Sequence, residues 1–176
     1  MIQKSTTQEV LGVLFDEPTE THYLKEISRK IKKAHTSITN SINDLLKEKL
    51  VIKEYEEKGK RKFPIFRANL ESADFKKMKK VWNLEKLYSS GLVKELYERI
   101  MPKSVILFGS YSRGEDVEVS DVDIFVESKK ESVELKKYEK ILKRKINLLF
   151  GSVSTLEKNL KENILNGIVL EGVIEL

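Results

Sequence analysis

The sequence of 176 residues predicts a two-domain protein of the α+β or α/β class, in which a connector over residues 71–91 joins domains at 1–70 and 92–176. Three observations predict this organisation. Apolar residues in the first domain recur at helical spacing and then alternate as in strands. Positive charge is concentrated between residues 23 and 80. The second domain alternates helical segments with short apolar strands, which is typical of a small α/β sheet.

Three short helices are predicted at the start of the first domain. Residues 7–15 carry a dense apolar set, and a second helix follows from Leu24 with Ile27 on the same face. The third helix has Thr36 or Ser37 as its expected N-cap, because a hydroxyl there can accept a hydrogen bond from the first turn. Helices this short need tertiary packing to be stable, so they are expected to share one core.

A β-hairpin is predicted after the third helix. Residues 51–56 and 63–67 have strand-like composition, and residues 57–61 form a polar turn rich in cations. Pro64 lacks a backbone N–H, which places the second strand at an edge.

This order of three helices and a charged hairpin resembles the winged helix-turn-helix domain of prokaryotic transcription regulators, over residues 7–70. In that family the third helix enters the major groove and the hairpin, or wing, contacts the DNA backbone or minor groove. One departure is Lys49, where the family often has glycine at the end of the helix. The resemblance implies DNA contacts from the positions of the third helix expected to be exposed and from the wing. These are Ser37, Thr39, Asn40, Ser41 and Asn43 on the helix, and Lys58, Lys60, Arg61 and Lys62 on the wing.

The charge distribution favours an anionic partner for the first domain and its connector. Residues 23–80 contain seventeen basic and eight acidic residues, a net charge of +9 within a chain whose total is +5. DNA is therefore the first candidate partner. The third helix also carries Asp44 and Glu48 and no arginine, so dimerisation or protein docking is a second hypothesis.

The connector is predicted to be helical over residues 74–88, with Trp82 among its apolar positions. Two hypotheses fit this helix. It pairs with a second copy of the chain, giving a homodimer, or Trp82 packs against one of the two domains. The opposite face is expected to be exposed and to carry Lys76, Lys77, Lys79 and Lys80.

A Gly-Ser turn followed by two aspartates marks the second domain. The apolar strand over residues 104–108 ends at Gly109, where a glycine allows close approach of a phosphate and Ser110 can help to hold its oxygens. Asp121 and Asp123 leave the same face of the next strand. Two adjacent carboxylates repel unless a cation lies between them, and hard oxygen ligands favour Mg²⁺. The pattern predicts a metal-triphosphate site.

This ordered motif resembles the nucleotidyltransferase superfamily of DNA polymerase beta, especially its minimal nucleotidyltransferases, over residues 92–174. The resemblance implies a small mixed sheet, a two-metal Mg²⁺ site and an NTP substrate. It also implies a small helical partner protein, since minimal members often act with one. The site residues that it implies are Asp121 and Asp123 as catalytic metal ligands, Gly109 and Ser110 as triphosphate-binding residues, and Arg113 as a further phosphate contact.

The third carboxylate of the family falls on a predicted strand over residues 145–150, where apolar alternation turns Asn147 toward the site. An amide can offer a neutral oxygen to a metal but cannot accept a proton from an attacking hydroxyl. The metal site is therefore expected to be incomplete, with Glu171 as a conceivable substitute carboxylate.

Four other segments complete the second domain. Helices are predicted at residues 92–101, 133–142 and 155–165, and the acidic residues of 115–118, which include Asp116, are expected to lie in solvent.

Two main functional hypotheses follow from these features. The first is an enzyme that transfers a nucleoside monophosphate from an NTP to a hydroxyl, directed to DNA by the winged helix. The second is a transcription regulator whose transferase-like domain, impaired by Asn147, senses nucleotide or dimerises. A third, wholly vestigial nucleotide site predicts no binding of Mg-NTP.

Composition narrows the class of protein further. Hydrophobic residues make up 40% and charged residues 35% of the chain, and there are no cysteines. Disulfides, thiolate metal sites and cysteine nucleophiles are thereby excluded. No apolar run approaches the ~20 residues that cross a bilayer, and residues 1–6 lack the apolar core of a signal peptide. A cytoplasmic protein with no membrane partner is expected.

Overall fold

The computed structural model describes residues 4–175. The chain forms two compact units that divide between Lys76 and Lys77.

The first unit begins with three helices, α1 (Thr6–Asp16), α2 (Leu24–Ile31) and α3 (His35–Lys47). Ser5 starts α1 through a capping box, in which its hydroxyl accepts a hydrogen bond from the Gln8 amide and the Gln8 side chain accepts one from the Ser5 amide. Apolar residues at helical spacing on all three helices are buried, which gives the unit its core. They include Val10, Leu11, Leu14, Phe15, Ile27, Ile38, Ile42 and Leu45.

The start of α3 differs from the prediction. Thr36 and Ser37 were expected as N-caps, but the capping position is Ala34, which has an extended backbone and no capping side chain. Both hydroxyl residues lie inside the first turn. After the helix, Lys49 has φ of +57°, so it takes the left-handed conformation for which the winged-helix family often uses glycine.

The first unit continues into an antiparallel hairpin of β1 (Val51–Lys58) and β2 (Arg61–Ala68). The strands are longer than predicted, since the charged residues assigned to the turn continue the ladder. Glu57 pairs with Lys62 across the strands, and their side chains form an ion pair of 2.9 Å. The turn itself therefore has two residues, of which Gly59 has a left-handed backbone.

The second unit begins within α4 (Ala73–Ser90), the helix that contains the boundary between the units. Its remaining elements alternate helices and strands, as predicted. In chain order they are α5 (Leu92–Ile100), β3 (Ser104–Phe108), α6 (Gly109–Arg113), β4 (Val122–Glu127), α7 (Lys136–Leu142), β5 (Ile146–Gly151), a 3-10 turn (Val153–Thr155), α8 (Lys158–Leu165) and β6 (Ile168–Gly172).

The strands of the second unit form one mixed sheet in the order β5-β4-β3-β6. Strand β3 pairs antiparallel with β4 and β6, whereas β4 and β5 are parallel. The predicted small mixed sheet is confirmed. It has a fourth strand, β6, which pairs with β3 and was not among the three strands predicted from the sequence.

Alternating side chains of the central strands fill two separate cores. Leu107 and Ile124 belong to the core that also buries Leu96 of α5. Ile106 and Phe125 point to the other face, in a smaller core with Ile164 of α8. The sheet is thus covered on both faces, which leaves its edges and strand ends for chemistry.

Two helices of this unit are shorter than predicted. Helix α7 begins at Lys136 rather than at residue 133. At this start, the Lys136 amide donates a hydrogen bond to the Glu134 carboxylate. Helix α8 begins at Lys158 rather than at residue 155, after the separate 3-10 turn.

Candidate functional site

Three strand ends meet at one edge of the four-stranded sheet. Phe108, the last residue of β3, pairs with Asp123 on β4, and Asp123 pairs with Asn147 on β5. Gly109 follows Phe108 directly. The sheet therefore brings together the Gly-Ser turn, the two aspartates and the asparagine, although they lie far apart in sequence.

Gly109 lies against one of the aspartates. Its φ of +73° is in the left-handed region that favours glycine. A Cβ atom at this position would be 2.6 Å from Oδ2 of Asp123, so a side chain here would displace that carboxylate. The Ser112 hydroxyl donates to the Gly109 carbonyl at 2.7 Å, which fastens the first turn of α6.

The two aspartates share one amide donor. Nδ2 of Asn147 donates to Oδ2 of Asp121 at 3.0 Å and to Oδ1 of Asp123 at 3.1 Å. Both carboxylates are half-buried, whereas Asn147 is exposed. Two like charges are thus held together by the positive end of one amide dipole, an arrangement that a cation could replace.

The side chains at this edge suit a hard cation. Within residues 4–175, no three His, Cys, Asp or Glu side chains are grouped to hold a metal by themselves. The donors here are two carboxylates and one amide, and a half-turn of the Asn147 amide would present Oδ1 in place of Nδ2. Carboxylate and amide oxygens are the ligand types that Mg²⁺ prefers. The residues present therefore fit a magnesium ion with one neutral ligand.

The other predicted phosphate contacts flank the turn. Ser110 is half-buried in the first turn of α6, and its carbonyl accepts a hydrogen bond from the Glu115 amide at 3.1 Å. Arg113 is exposed, and its Nε donates to the Glu115 carboxylate at 2.7 Å. Exposed pairs of this kind contribute about 0–1 kcal/mol, so the guanidinium can exchange this partner for a phosphate at little cost.

The proposed substitute carboxylate lies elsewhere. Glu171 pairs with Val105 near the start of β3, whereas Gly109 follows the other end of that strand. The hypothesis that Glu171 replaces the third carboxylate is therefore wrong.

Two predictions of solvent exposure are also wrong. Lys79 and Asp116 were expected in solvent, but they are 1% and 2% exposed and form an ion pair. With Asn83 and Arg144 they form what we call the buried polar cluster. Helical spacing carries the signal that was missed, since Lys79 and Asn83 lie four residues apart on the stripe that buries Leu87.

An open cleft of about 680 Å³ lies beside Asp121. Its walls are residues 118–121, Glu139 of α7 and the basic residues 143–145 that precede β5. Across the sheet edge this is the side of Asn147 rather than that of Gly109. The cleft leaves Asp121 accessible to a second reactant.

The polar residues predicted to contact DNA on α3 are not all available. Ser37, Asn40 and Asn43 are exposed, and Thr39 is half-buried, with its hydroxyl donating to the His35 carbonyl. The prediction that Ser41 is exposed is wrong. Ser41 is 5% exposed and accepts a hydrogen bond from the Thr7 hydroxyl, because it lies on the buried stripe of α3.

The four cations of the hairpin tip are all exposed. Lys58 and Lys62 form ion pairs with Glu56 and Glu57 at 3.1 and 2.9 Å. Lys60 and Arg61 take part in no ion pair with any residue in the described part of the chain. The tip therefore offers two cations that are not already neutralised by a neighbouring acid.

Part of the chain is similar to known proteins. Residues 90–169 match the nucleotidyltransferase domain family. Two curated proteins of Methanocaldococcus jannaschii are similar to this chain. One, named "Putative protein adenylyltransferase MJ1379", is 47% identical over 64 residues, which is 32% of this chain and 64% of that protein. The other, named "Putative protein adenylyltransferase MJ1215", is 59% identical over 34 residues, or 19% of this chain and 40% of that protein.

The chain thus spans less than two thirds of the length of either curated relative. In the portion that the structure describes, no helix is both long enough and apolar enough to span a membrane.

Proposed function

We propose that the protein transfers a nucleoside monophosphate from an NTP to a hydroxyl group, because residues 90–169 match the nucleotidyltransferase domain family. The observation that carries this proposal is the sheet edge at which Gly109 lies against Asp123 and Asp121 lies beside it. A backbone turn without a Cβ next to two carboxylates is an arrangement suited to a metal-bound triphosphate.

Gly109 and Ser110 bind the triphosphate in this proposal, with Arg113 as a further contact once it leaves Glu115. Asp121 and Asp123 would hold Mg²⁺, and Asn147 would offer its amide oxygen. The chemistry that the ion would supply is neutralisation of charge on the phosphates and on the leaving pyrophosphate.

Transfer is an in-line displacement at the α-phosphorus. The acceptor oxygen forms the new bond to phosphorus, the bond to the β-phosphate oxygen breaks, and pyrophosphate leaves. The acceptor proton passes to water, because the Asn147 amide cannot accept it. The cleft beside Asp121 lies on the side away from Gly109, where an acceptor opposite the leaving group would enter.

ATP is the proposed donor and a protein hydroxyl the proposed acceptor. The similarity to two proteins named as protein adenylyltransferases supports both assignments. A small helical protein is the partner that the minimal transferases suggest, and it would be the first acceptor to test.

The first domain, residues 1–70, is proposed to be a winged helix that binds DNA. Support comes from its three helices followed by a hairpin and from the cations at the hairpin tip. Residues 71–91 act as the connector to the transferase domain at 92–176. A homodimer through the connector helix remains a further proposal, motivated by the exposed side chains of Met78, Val81 and Tyr88 on α4.

A second candidate function is a regulator that binds nucleotide without transferring it. Asn147 favours this alternative, because it occupies the position of the family's third carboxylate and already donates to both aspartates. Such a protein would respond to Mg-NTP through its DNA affinity rather than through a product.

Transfer of label from ATP separates these functions. The full chain is incubated with Mg²⁺, a cell extract and ATP labelled at either the α- or the γ-phosphate, beside an Asp123→Asn control. We expect α-label, but no γ-label, on protein with the wild type alone. Nucleotide binding with no transferred label would favour the regulator, and γ-label on protein would contradict nucleotidyl transfer.

A further inference from the structure

We propose that Asp116 is a positioning residue that, through the buried polar cluster, holds the Gly109-Ser110 turn in place against the aspartates. The inference rests on the proposed nucleotide site, but it concerns residues that lie behind that site and touch no substrate. It assigns a role to side chains that the sequence pattern placed in solvent.

Asp116 is the centre of the cluster. Its Oδ1 accepts a hydrogen bond from Nδ2 of Asn83 at 2.7 Å and forms an ion pair with Nζ of Lys79. Its Oδ2 lies 3.5 Å from Nη2 of Arg144. All four residues are less than 9% exposed. One carboxylate thus joins α4 to the segment between α7 and β5.

The cluster reaches the phosphate-binding turn through Asn83. The same Nδ2 that contacts Asp116 also donates to the carbonyl of Tyr111 at 3.0 Å. Tyr111 is buried in the middle of α6, two residues after Gly109. Lys79 adds a hydrogen bond of 2.8 Å to the backbone carbonyl of Asp116. Helix α6 and the first part of the loop that follows it are therefore both hydrogen-bonded to α4.

The cluster also reaches the aspartates, through Arg144. The next residue, Lys145, accepts a hydrogen bond at its carbonyl from the amide of Val122 at 2.8 Å. Val122 lies between Asp121 and Asp123. The turn and the aspartates, which approach within van der Waals distance at Gly109, are thus tied to one common carboxylate.

Burial requires these polar contacts to keep a fixed geometry. A buried carboxylate with two cations gains little net stability over apolar residues of similar volume, so stability alone does not account for it. What the charged groups provide is fixed geometry, since each must keep its partners to remain buried. The short clearance between Gly109 and Asp123 needs such geometry, because a shift of the turn would open or block it.

The other end of the sheet offers a matched control. Glu127, at the end of β4, is buried and accepts hydrogen bonds from the Ser104 hydroxyl at 3.0 Å and from the Val153 amide at 3.1 Å. Changing Glu127 removes a buried carboxylate from the same unit, at the opposite end of β4 from Asp123. It leaves the Gly109 edge without any direct change.

The test compares full-length Asp116→Asn and Asn83→Leu with Glu127→Gln. Asn83→Leu keeps every charge and removes only the amide that bridges Asp116 and Tyr111, so it serves if Asp116→Asn fails to fold. Three quantities are measured: the thermal midpoint, the Mg-ATP dissociation constant by calorimetry, and the amide resonances of Gly109 and Ser110 in the nucleotide-free protein.

We expect all three variants to lower the thermal midpoint, while only the two cluster variants shift the Gly109 and Ser110 resonances and weaken Mg-ATP binding by about tenfold or more. Unmoved resonances with unchanged affinity in the cluster variants, or equal effects in Glu127→Gln, would overturn the proposal. A wild type that binds no Mg-ATP would contradict the proposed function instead. The resonances would still decide whether Asp116 positions the turn.

Discussion

Asn147 lies directly opposite Asp123 in the parallel pair of β4 and β5, and its amide donates to Oδ1 of that aspartate at 3.1 Å. The same nitrogen donates to Asp121 at 3.0 Å. In place of a third negative charge, the site thus has a neutral group that bonds to both carboxylates. This relationship stabilises the site without a metal and removes a candidate proton acceptor.

The variant Asn147→Asp should therefore be less stable than the wild type but faster in transfer. Loss of both hydrogen bonds and addition of a third carboxylate should lower the free energy of unfolding by about 1–3 kcal/mol in the absence of Mg²⁺. Adding Mg²⁺ should restore more stability than it does in the wild type. A carboxylate that can accept the acceptor's proton should raise the transfer rate by about 100-fold.

Asn147→Ala is the control for that change, because it loses the same hydrogen bonds without adding a carboxylate. Its stability should fall and its transfer rate should not rise. Equal rates for the alanine and aspartate variants would show that the lack of a third carboxylate does not limit the proposed transfer.

Gly109→Ala should abolish binding of Mg-ATP. Gly109 and Gly91 both have positive φ, so an alanine at either position should cost about 1–2 kcal/mol of stability from backbone strain. Only at Gly109 would the new Cβ meet a carboxylate, whereas the Cβ at Gly91 would meet nothing within 4 Å. Calorimetric titration of both variants checks this, and the idea fails if they bind Mg-ATP equally well.

The first unit should lose stability in acid because of His22. Burial lowers the pKa of His22 below its ordinary value of 6.5, Lys30 lowers it further, and Glu17 and Glu26 act in the opposite direction. The unfolded chain therefore binds a proton more readily than the folded one. The contribution of His22 to stability is present above pH 6.5 and is lost as the pH falls below it through the folded pKa.

Urea unfolding of the wild type, His22→Gln and His35→Gln between about pH 8 and pH 5 measures this effect. The wild type and His35→Gln, which changes an exposed histidine, should lose stability in parallel, and the His22 variant should lose less. A pH dependence that survives the loss of His22 would assign it to other groups.

Neutralising the hairpin tip should weaken DNA binding without altering sequence preference. Lys60→Gln/Arg61→Gln removes the two tip cations that have no acidic partner in the described structure. If both contact phosphates, the plot of log affinity against log salt should become flatter, with the magnitude of its slope reduced by about 2. Lys129→Gln/Lys130→Gln, two exposed lysines of the second unit, is the charge-matched control. Equal slopes in both variants would show that the wing is not part of the DNA interface.

That Gly109, the two aspartates and Asn147 lie together could be predicted from the sequence, because their positions are local or are set by strand alternation; their roles in a functional site stay a prediction. A glycine at the end of a strand can be predicted from the pattern of that strand alone. The same holds for two aspartates that lie two residues apart and therefore point to the same face. Asn147 followed from alternation along a third strand. The mixed sheet likewise followed from the resemblance that the motif supports.

What the sequence did not predict depends on partners far along the chain. Lys79 is polar, so it was assigned to the exposed face, but its partner Asp116 lies 37 residues away and neutralises it. Ser41 was misassigned for the same reason, since its partner Thr7 is 34 residues away. Helical spacing can place such a residue on the buried face of a helix, but its burial is explained only once its partner is known.

Calorimetric titration of ATP with and without Mg²⁺ tests the central claim most directly. The proteins compared are the wild type, Asp121→Asn/Asp123→Asn, and a control, Glu157→Gln/Glu162→Gln, that loses two exposed carboxylates from the same unit. We predict Mg²⁺-dependent binding in the wild type and the control, and its loss in the aspartate variant. Binding that persists without the aspartates, or none in the wild type, would contradict a metal-nucleotide site at this sheet edge.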